Sequence, residues 1–225
     1  MANILLVHGA IADGSSWSAV IPALQAAGHH VVAAQQPLSS IPDDVQKVRE
    51  LLDTLDGETV VVGHSFGGFV ISNAAKGAPQ VKSLVYVAAF GPEEGETAGG
   101  LTEEYGALPS ASKFVFDPQG RVTLSPDDYV QYFAPDLPEE QARINAATQG
   151  PSDGGRFAWP SGAPAWKDVP TWYIVAGNDQ IINPKLEAGC AERMGAQTTV
   201  VDGASHSVML SHPEEVVKVI LAAAA

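Results

Sequence analysis

The sequence has little of what disulfide-stabilised or metal-binding proteins need. Cys190 is the only cysteine among 225 residues, so no disulfide can form within the chain. The segment from Leu186 to Glu192 contains no cation that would stabilise a thiolate, and we therefore interpret Cys190 as a packed helix residue. No pair among the six histidines has convincing zinc-ligand spacing, so we expect neither a metal nor another cofactor.

Basic residues are also scarce. Lys and Arg together number 12 against 26 for Asp and Glu, which gives a formal net charge of -14. This charge would repel nucleic acid and anionic membrane surfaces, and we expect neither as a partner. No segment reaches the ~20 consecutive apolar residues of a membrane-spanning helix. The segment from Met1 to Val7 has no basic leader, so we do not interpret it as a signal peptide and expect a cytoplasmic location by default.

Short β-branched runs alternate with amphipathic stretches along most of the chain. Several runs are apolar at consecutive positions, which is typical of parallel strands covered on both faces. The predicted strands are Asn3 to Val7, His30 to Ala34, Thr59 to Val62, Val81 to Val87, Trp172 to Ala176 and Gln197 to Val201. The predicted helices are Ser16 to Ala27, Asp43 to Leu55, Gly67 to Lys76, Leu186 to Met194 and Pro213 to Leu221. This order predicts an α/β fold with a mostly parallel sheet of about six strands flanked by helices.

The stretch 92–170 interrupts this alternation and is rich in proline, glycine and acidic residues. It is too long for a simple connection and contains plausible short helices at Pro126 to Phe133 and Pro138 to Thr148. A disordered linker is the alternative, although the stretch is more aromatic than unstructured segments tend to be. We therefore expect one domain over residues 1–225, with 92–170 inserted as a cap over the sheet.

The segment Gly63-His64-Ser65-Phe66-Gly67 matches the nucleophile elbow, a sharp turn that projects a serine hydroxyl outward. It follows a predicted strand and precedes a predicted helix, as that turn requires. Its glycines stand where a Cβ would collide with neighbouring backbone. An ordinary glycine-rich turn is the alternative. The pattern and its context predict Ser65 as a catalytic nucleophile.

A serine nucleophile needs a base, and a histidine base is oriented by an acid. His206 follows the sixth predicted strand, whereas the competing His212 stands at a helix start before a proline. Asp179 directly follows the fifth predicted strand, and a turn or helix cap is the alternative for it. We predict His206 as base and Asp179 as acid, with Glu93 and Glu94 as fallback acids.

The first predicted strand ends in Val7-His8-Gly9-Ala10, where a glycine turn could aim backbone N–H groups at a developing oxyanion. Ala10 and Phe66 are the predicted backbone donors of an oxyanion hole. A tight turn without this role is the alternative.

Together these segments resemble the α/β-hydrolase superfamily, and more closely its small branch of plant hydroxynitrile lyases, plant methyl-ester esterases and bacterial esterase-like hydrolases. The motifs that carry the resemblance are Val7 to Ala10 with Gly14 to Trp17, Ala27 to His29, Val62 to Gly68, Asn178 to Ile181 and His206 to Leu210. The resemblance implies the same triad and oxyanion donors. It also implies a mainly apolar pocket shaped by the cap and Trp17, and we take Gly9, Trp17 and His64 as candidate substrate-binding residues.

Lyases of this branch resemble one another in a threonine after the first-strand histidine and a lysine after the catalytic histidine, where this sequence has Gly9 and Ser207. Both departures favour hydrolysis of a small-molecule ester through an acyl-enzyme. A hydroxynitrile lyase or other C–C lyase, and a ligand sensor that keeps the fold, are the alternative functions. Whether the chain is a monomer or a homodimer stays open.

Overall fold

The structure, a computed structural model, describes residues 1–225 and contains nine β-strands. In chain order they are β1 (Asn3–Val7), β2 (His30–Ala33), β3 (Thr59–His64), β4 (Val81–Val87), β5 (Phe114–Phe116), β6 (Arg121–Leu124), β7 (Ser152–Asp153), β8 (Thr171–Ala176) and β9 (Gln197–Val201). Six of them form one parallel sheet in the order β2-β1-β3-β4-β8-β9. The carboxyl ends of these strands therefore lie at one edge, where α/β sheets usually bind their ligands.

Nine α-helical segments connect or flank the strands. They are α1 (Ile21–Ala26), α2 (Ile41–Asp53), α3 (Phe66–Ala74), α4 (Ala98–Tyr105), α5 (Pro126–Asp128), α6 (Glu139–Ala147), α7 (Pro184–Met194), α8 (Val208–Ser211) and α9 (Pro213–Ala224). No helix has both the length and the apolar character needed to cross a membrane.

Each face of the parallel sheet carries its own apolar core. Leu5 and Val7 of β1 point into a cluster with α2, α3 and α7, whereas Ile4 and Leu6 point into a second cluster with α1, α8 and α9. This division follows from the alternation of side chains along a strand. Because both faces of the sheet are covered, consecutive apolar residues of β1 and β3 are buried in one core or the other.

The predicted α/β class and parallel sheet are confirmed, with small differences at the boundaries. β3 continues to His64 because Gly63 and His64 pair with Tyr86 and Val87 of β4. The predicted helix from Ser16 to Ala27 is divided into a 3₁₀ turn, Gly14–Trp17, and α1. Pro22, near the start of α1, has no backbone N–H and therefore cannot donate a helical hydrogen bond to the preceding turn.

The stretch 92–170 contains α4 to α6, several 3₁₀ turns and a small antiparallel sheet, β5-β6-β7. The predicted helix from Pro126 to Phe133 is α5 followed by a π-helical turn, Tyr129–Phe133, and the next predicted helix is α6. Neither α4 nor the small sheet was predicted. A third apolar cluster packs this stretch internally and against Ile11, which follows β1.

Candidate active site

Ser65 lies between β3 and α3 in a backbone conformation that residues with a Cβ rarely adopt. Its φ of +54° and ψ of −123° are in a strained region, which typically costs about 1–3 kcal/mol and must be held by its surroundings. Close backbone approach provides that support. A Cβ on Gly63 would lie 2.7 Å from the backbone of Gly67, and a Cβ on Gly67 would lie 2.4 Å from the carbonyl oxygen of Val7. The glycines of the motif are therefore required by packing.

Asp179 and His206 meet although 27 positions separate them. Asp179 follows β8 and His206 follows β9, and these neighbouring parallel strands bring both residues to the same edge of the sheet. His206 Nδ1 is 2.5 Å from Asp179 Oδ2, and both side chains are fully buried. His206 Nε2 is buried without a hydrogen-bond partner among the protein's atoms. It forms no hydrogen bond with the Ser65 hydroxyl in this structure.

The orientation of Asp179 is fixed by the start of the loop that follows it. Asp179 Oδ1 accepts hydrogen bonds from the backbone N–H groups of Ile181 at 2.6 Å and Ile182 at 3.0 Å. This leaves Oδ2 directed at His206. An Asp side chain that accepts from the N–H groups of following residues is common in turns. Asp179 therefore stabilises its own turn with Oδ1 and contacts His206 with Oδ2.

The imidazole of His206 is held between two other rings. Its centroid is 4.6 Å from those of His64 and Phe133. His64 Nε2 donates to the backbone carbonyl oxygen of His206 at 2.8 Å, which orients the loop as well as the ring. Burial lowers the pKa of His64 well below its ordinary value, and the neighbouring His206 lowers it further. His64 is therefore a neutral donor at this site.

The loop that carries His206 is also anchored from the stretch 92–170. Asp136 Oδ2 accepts from the backbone N–H of Ser205 at 2.8 Å, and its Oδ1 accepts from the Ser205 hydroxyl at 2.5 Å. The hydroxyl of Ser207 donates to the backbone carbonyl oxygen of Phe133 at 3.2 Å. No sequence signal identified Asp136 or Phe133, because their partners are distant in the chain.

The turn after β1 has a second histidine at its base. His8 Nε2 accepts from the backbone N–H of Gln36 at 3.1 Å, so the proton lies on Nδ1, which donates to the Gly9 carbonyl oxygen at 2.8 Å. Burial lowers the pKa of His8, which favours this neutral tautomer. The arrangement fixes the backbone that leads to Ala10, and sequence reasoning had missed this role for His8.

An apolar cavity of about 320 Å³ opens beside Ser65. Ser65 and the two residues predicted to provide the oxyanion hole, Ala10 and Phe66, all line it. Most other lining residues come from the stretch 92–170, including Phe114, Phe116, Phe133 and Phe157. Glu103 is the one ionisable side chain in the lining.

Three predicted substrate-binding residues do not line this cavity. Trp17 is fully buried in the cluster of α1, α8 and α9, with its ring centroid 6.3 Å from that of His64. His64 faces His206, and Gly9 lies against Ser65, where a Cβ would be 2.7 Å from Ser65 Cβ. Because Trp17 and His64 are completely buried and outside the cavity lining, they correct the expectation of direct contact with substrate. Gly9 lies beside Ser65, and its predicted contact with substrate stays a prediction.

The alternative base and acid have other polar partners than Asp179 and His206. His212 Nδ1 is 2.9 Å from the Ser211 hydroxyl and 3.8 Å from Asp136, and Glu93 pairs with Lys167 at 2.5 Å. No group of three or more histidine, cysteine or carboxylate side chains is arranged to hold a metal ion.

A buried ion pair joins the stretch 92–170 to α2. Arg156 Nη1 is 3.2 Å from Asp44 Oδ2, and both side chains are almost fully buried. The guanidinium carbon of Arg156 lies 5.1 Å from the ring centroid of Phe66, beside the elbow. The sequence contains no local pattern that would have indicated this pair.

Comparisons with known proteins agree with the architecture. The profile of the alpha/beta hydrolase family matches residues 4–219. Salicylic acid-binding protein 2 of Nicotiana tabacum is 26% identical over 244 residues, which cover 95% of this chain and 93% of that protein. The carbendazim hydrolyzing esterase of Nocardioides sp. (strain SG-4G) is 37% identical over 122 residues, 48% of this chain and 50% of that protein. The crystal structure of polyneuridine aldehyde esterase has the same fold, with a TM-score of 0.89 over 100% of both chains at 20% identity.

Proposed function

Since the chain belongs to the alpha/beta hydrolase family and is a carboxylesterase-like hydrolase, we propose that it cleaves small to medium carboxylic esters through an acyl-enzyme on Ser65. His206 is the general base, Asp179 is the acid that orients it, and the backbone N–H groups of Ala10 and Phe66 form the oxyanion hole. No cofactor takes part in this mechanism.

The reaction proceeds in two balanced halves. His206 Nε2 takes the Ser65 hydroxyl proton as Oγ attacks the ester carbonyl, and the imidazolium then protonates the departing alkoxide. Water, deprotonated by the same nitrogen, attacks the acyl-enzyme and releases the carboxylic acid. Asp179 stays ionised and stabilises the imidazolium in both halves. The two backbone donors stabilise the negative oxygen of each tetrahedral intermediate.

The observation that carries this proposal is the Asp179–His206 contact. A buried 2.5 Å hydrogen bond to Nδ1 commits that nitrogen as donor and leaves Nε2 as a proton acceptor. The strained backbone of Ser65 supports the same conclusion, because such strain persists chiefly at functional sites.

The cavity favours uncharged esters with apolar groups. Its lining is dominated by phenylalanine and aliphatic side chains, and Glu103 places one negative charge at the cavity of a protein whose formal net charge is -14. Anionic substrates would be repelled by both. The stretch 92–170 supplies most of this lining, so we assign it the role of a cap within one hydrolase domain.

The proposal is tested with a chain-length series of p-nitrophenyl esters. Wild type is compared with Ser65→Ala and with the matched control Ser18→Ala, which removes an exposed hydroxyl. We expect kcat to fall by at least about 10³-fold in Ser65→Ala and to be unchanged in Ser18→Ala. An organophosphonate should label Ser65, as read by mass spectrometry of the tryptic peptide.

Retention of full turnover by Ser65→Ala, or failure of the label to attach there, would refute the acyl-enzyme. Tight, saturable ester binding with turnover near background in wild type would instead favour the ligand-sensing alternative.

A further inference from the structure

One carboxylate of the stretch 92–170 lies against the loop that carries His206. Asp136 belongs to the segment between the π-helical turn and α6, and its side chain is 21% exposed. The loop residues Ser205, His206 and Ser207 are all buried. Because Asp136 and Ser205 are 69 positions apart in the chain, their contact joins two separate parts of the fold.

Asp136 uses both of its carboxylate oxygens on Ser205. Oδ2 accepts from the backbone N–H at 2.8 Å, and Oδ1 accepts from the hydroxyl at 2.5 Å. Since the hydroxyl proton is directed at Asp136, Ser205 Oγ can accept in turn, and the backbone N–H of Ser207 donates to it at 3.2 Å. A single carboxylate therefore holds the residues on both sides of His206.

Phe133 supports the same loop less tightly. Its ring lies edge-on to the imidazole of His206, with centroids 4.6 Å apart, and its carbonyl oxygen accepts from the Ser207 hydroxyl at 3.2 Å. Aromatic pairs are favourable over centroid distances of about 4.5–7 Å, whereas charge-assisted N–H···O bonds keep to about 2.7–2.9 Å. The hydrogen bonds of Asp136 therefore restrain the loop more closely than the ring contact does.

His212 is a titratable side chain beside Asp136, but it does not account for the position of the carboxylate. His212 Nδ1 is 3.8 Å from Asp136 Oδ2, which is beyond hydrogen-bond distance. The same nitrogen is 2.9 Å from the Ser211 hydroxyl. Both hydrogen bonds of the Asp136 carboxylate therefore go to Ser205.

We propose that Asp136 is a positioning residue for the general base, which it holds through Ser205. It sets the position of the loop, and therefore the distance between His206 Nε2 and the Ser65 hydroxyl. A misplacement of about 1 Å can lower a reaction rate by about 100-fold. This role rests on the proposed function, because the position of His206 affects turnover only where His206 is the base.

Two substitutions of Asp136 separate its hydrogen bonds from its charge. Asp136→Ala removes both, whereas the amide of Asp136→Asn can accept from the Ser205 N–H and donate to the Ser205 hydroxyl oxygen. The hydroxyl proton can then turn to the Phe133 carbonyl oxygen, 3.3 Å away. We expect Asp136→Ala to lower kcat by about tenfold or more and Asp136→Asn to stay within about threefold of wild type. KM should change by less than about twofold in both, because Asp136 does not line the cavity.

Ser205→Ala tests the same contact from the other side, including the case in which Asp136→Ala fails to fold. It removes the hydroxyl and keeps the backbone N–H for Asp136 Oδ2, so kcat should fall by about threefold or more. Adding Ser205→Ala to Asp136→Ala should lower kcat by less than about twofold beyond Asp136→Ala alone, because the two changes remove one shared hydrogen bond.

Two control variants separate this contact from general effects of losing a charge or a hydrogen bond. Asp43→Ala removes an exposed carboxylate of α2 that accepts from the Ser39 hydroxyl at 2.7 Å, the same type of pair at a distant place. His212→Gln removes the other titratable neighbour of Asp136. Neither should change kcat. Turnover is expressed per Ser65 labelled by an organophosphonate, so partial unfolding does not count as lost turnover.

Hydrogen exchange followed by mass spectrometry measures the loop itself, without reference to turnover. Peptides that span 202–207 should exchange at least about tenfold faster in Asp136→Ala, and within about twofold of wild type in Asp136→Asn. Peptides that span β8 should exchange equally in all three proteins, since the change is confined to the loop.

Equal losses of kcat in Asp136→Ala and Asp136→Asn would assign the effect to charge and overturn the inference. It would also be overturned by an unchanged kcat in Asp136→Ala, by a loss that appears in KM alone, by multiplied losses in the double variant, or by an equal loss in His212→Gln. Unchanged exchange of the loop in Asp136→Ala would overturn it as well. If Ser65 took no label, the proposed function would fail, while the exchange rates would still decide whether Asp136 holds the loop of His206.

Discussion

Replacing Arg156 with leucine should strongly destabilise the protein, because it leaves the Asp44 carboxylate buried without its counter-charge. The two side chains are 1% and 0% exposed, and Arg156 Nη1 lies 3.2 Å from Asp44 Oδ2. At an effective dielectric constant of about 20, two unit charges at this distance attract by about 5 kcal/mol. Part of this attraction offsets the desolvation of both ions.

Breaking such a buried pair from one side typically costs about 3–5 kcal/mol. Asp44 keeps only the backbone N–H of Leu38, which donates to its Oδ1 at 2.8 Å. For a protein of this size the loss corresponds to a fall of about 6–20 °C in the unfolding midpoint. The loss should grow with pH, because removing Arg156 further raises an Asp44 pKa that burial already raises.

Urea unfolding followed by tryptophan fluorescence, at pH 5 and pH 8, measures this effect. The matched control is Arg121→Leu, which breaks an ion pair with Asp117 whose side chains are 51% and 29% exposed. Exposed pairs contribute little, so the control should unfold close to wild type. Equal midpoints for Arg156→Leu and Arg121→Leu would refute the reasoning, as would a loss that shrinks from pH 5 to pH 8.

Two further substitutions test the catalytic geometry. Asp179→Asn should lower kcat by about 10³–10⁴-fold while the protein stays folded, because an amide no longer holds the His206 proton on Nδ1. Steady-state kinetics and circular dichroism check this together, and a loss below about tenfold would contradict the assigned acid. Gly9→Ala should lower kcat by up to about 100-fold, because its Cβ would lie 2.7 Å from Ser65 Cβ. Its control is Gly28→Ala, where φ is +87° and no atom lies within 4 Å of a Cβ, so stability should fall and kcat should not.

The parallel sheet could be predicted because its signals are local. Each strand needs a run of apolar residues covered on both faces, and β1 and β3 carry such runs with turn residues directly after them. The contact between Asp179 and His206 follows from the same signals. Asp179 comes three residues after the end of β8 and His206 five residues after the end of β9, and parallel strands end at a common edge.

Trp17 shows the limit of reasoning by motif. It follows the turn after β1 and was expected at the pocket, but it is completely buried among α1, α8 and α9. A large aromatic residue in a short 3₁₀ turn can point to either side, and the direction depends on helices that are more than 190 residues away in the chain. The sequence specifies the turn and leaves the direction of the side chain to tertiary packing.

The stretch 92–170 was the least predictable part, since its elements are short and its contacts are distant in sequence. β5 and β6 have three and four residues, too few to show a periodic pattern. The contacts that fix this stretch are single side chains such as Asp136 on Ser205 and Arg156 on Asp44. Phe133 of the same stretch both lines the cavity and packs on His206. A change that reshapes the cavity at Phe133 would therefore also change the support of His206, so substrate preference and turnover should vary together at this position.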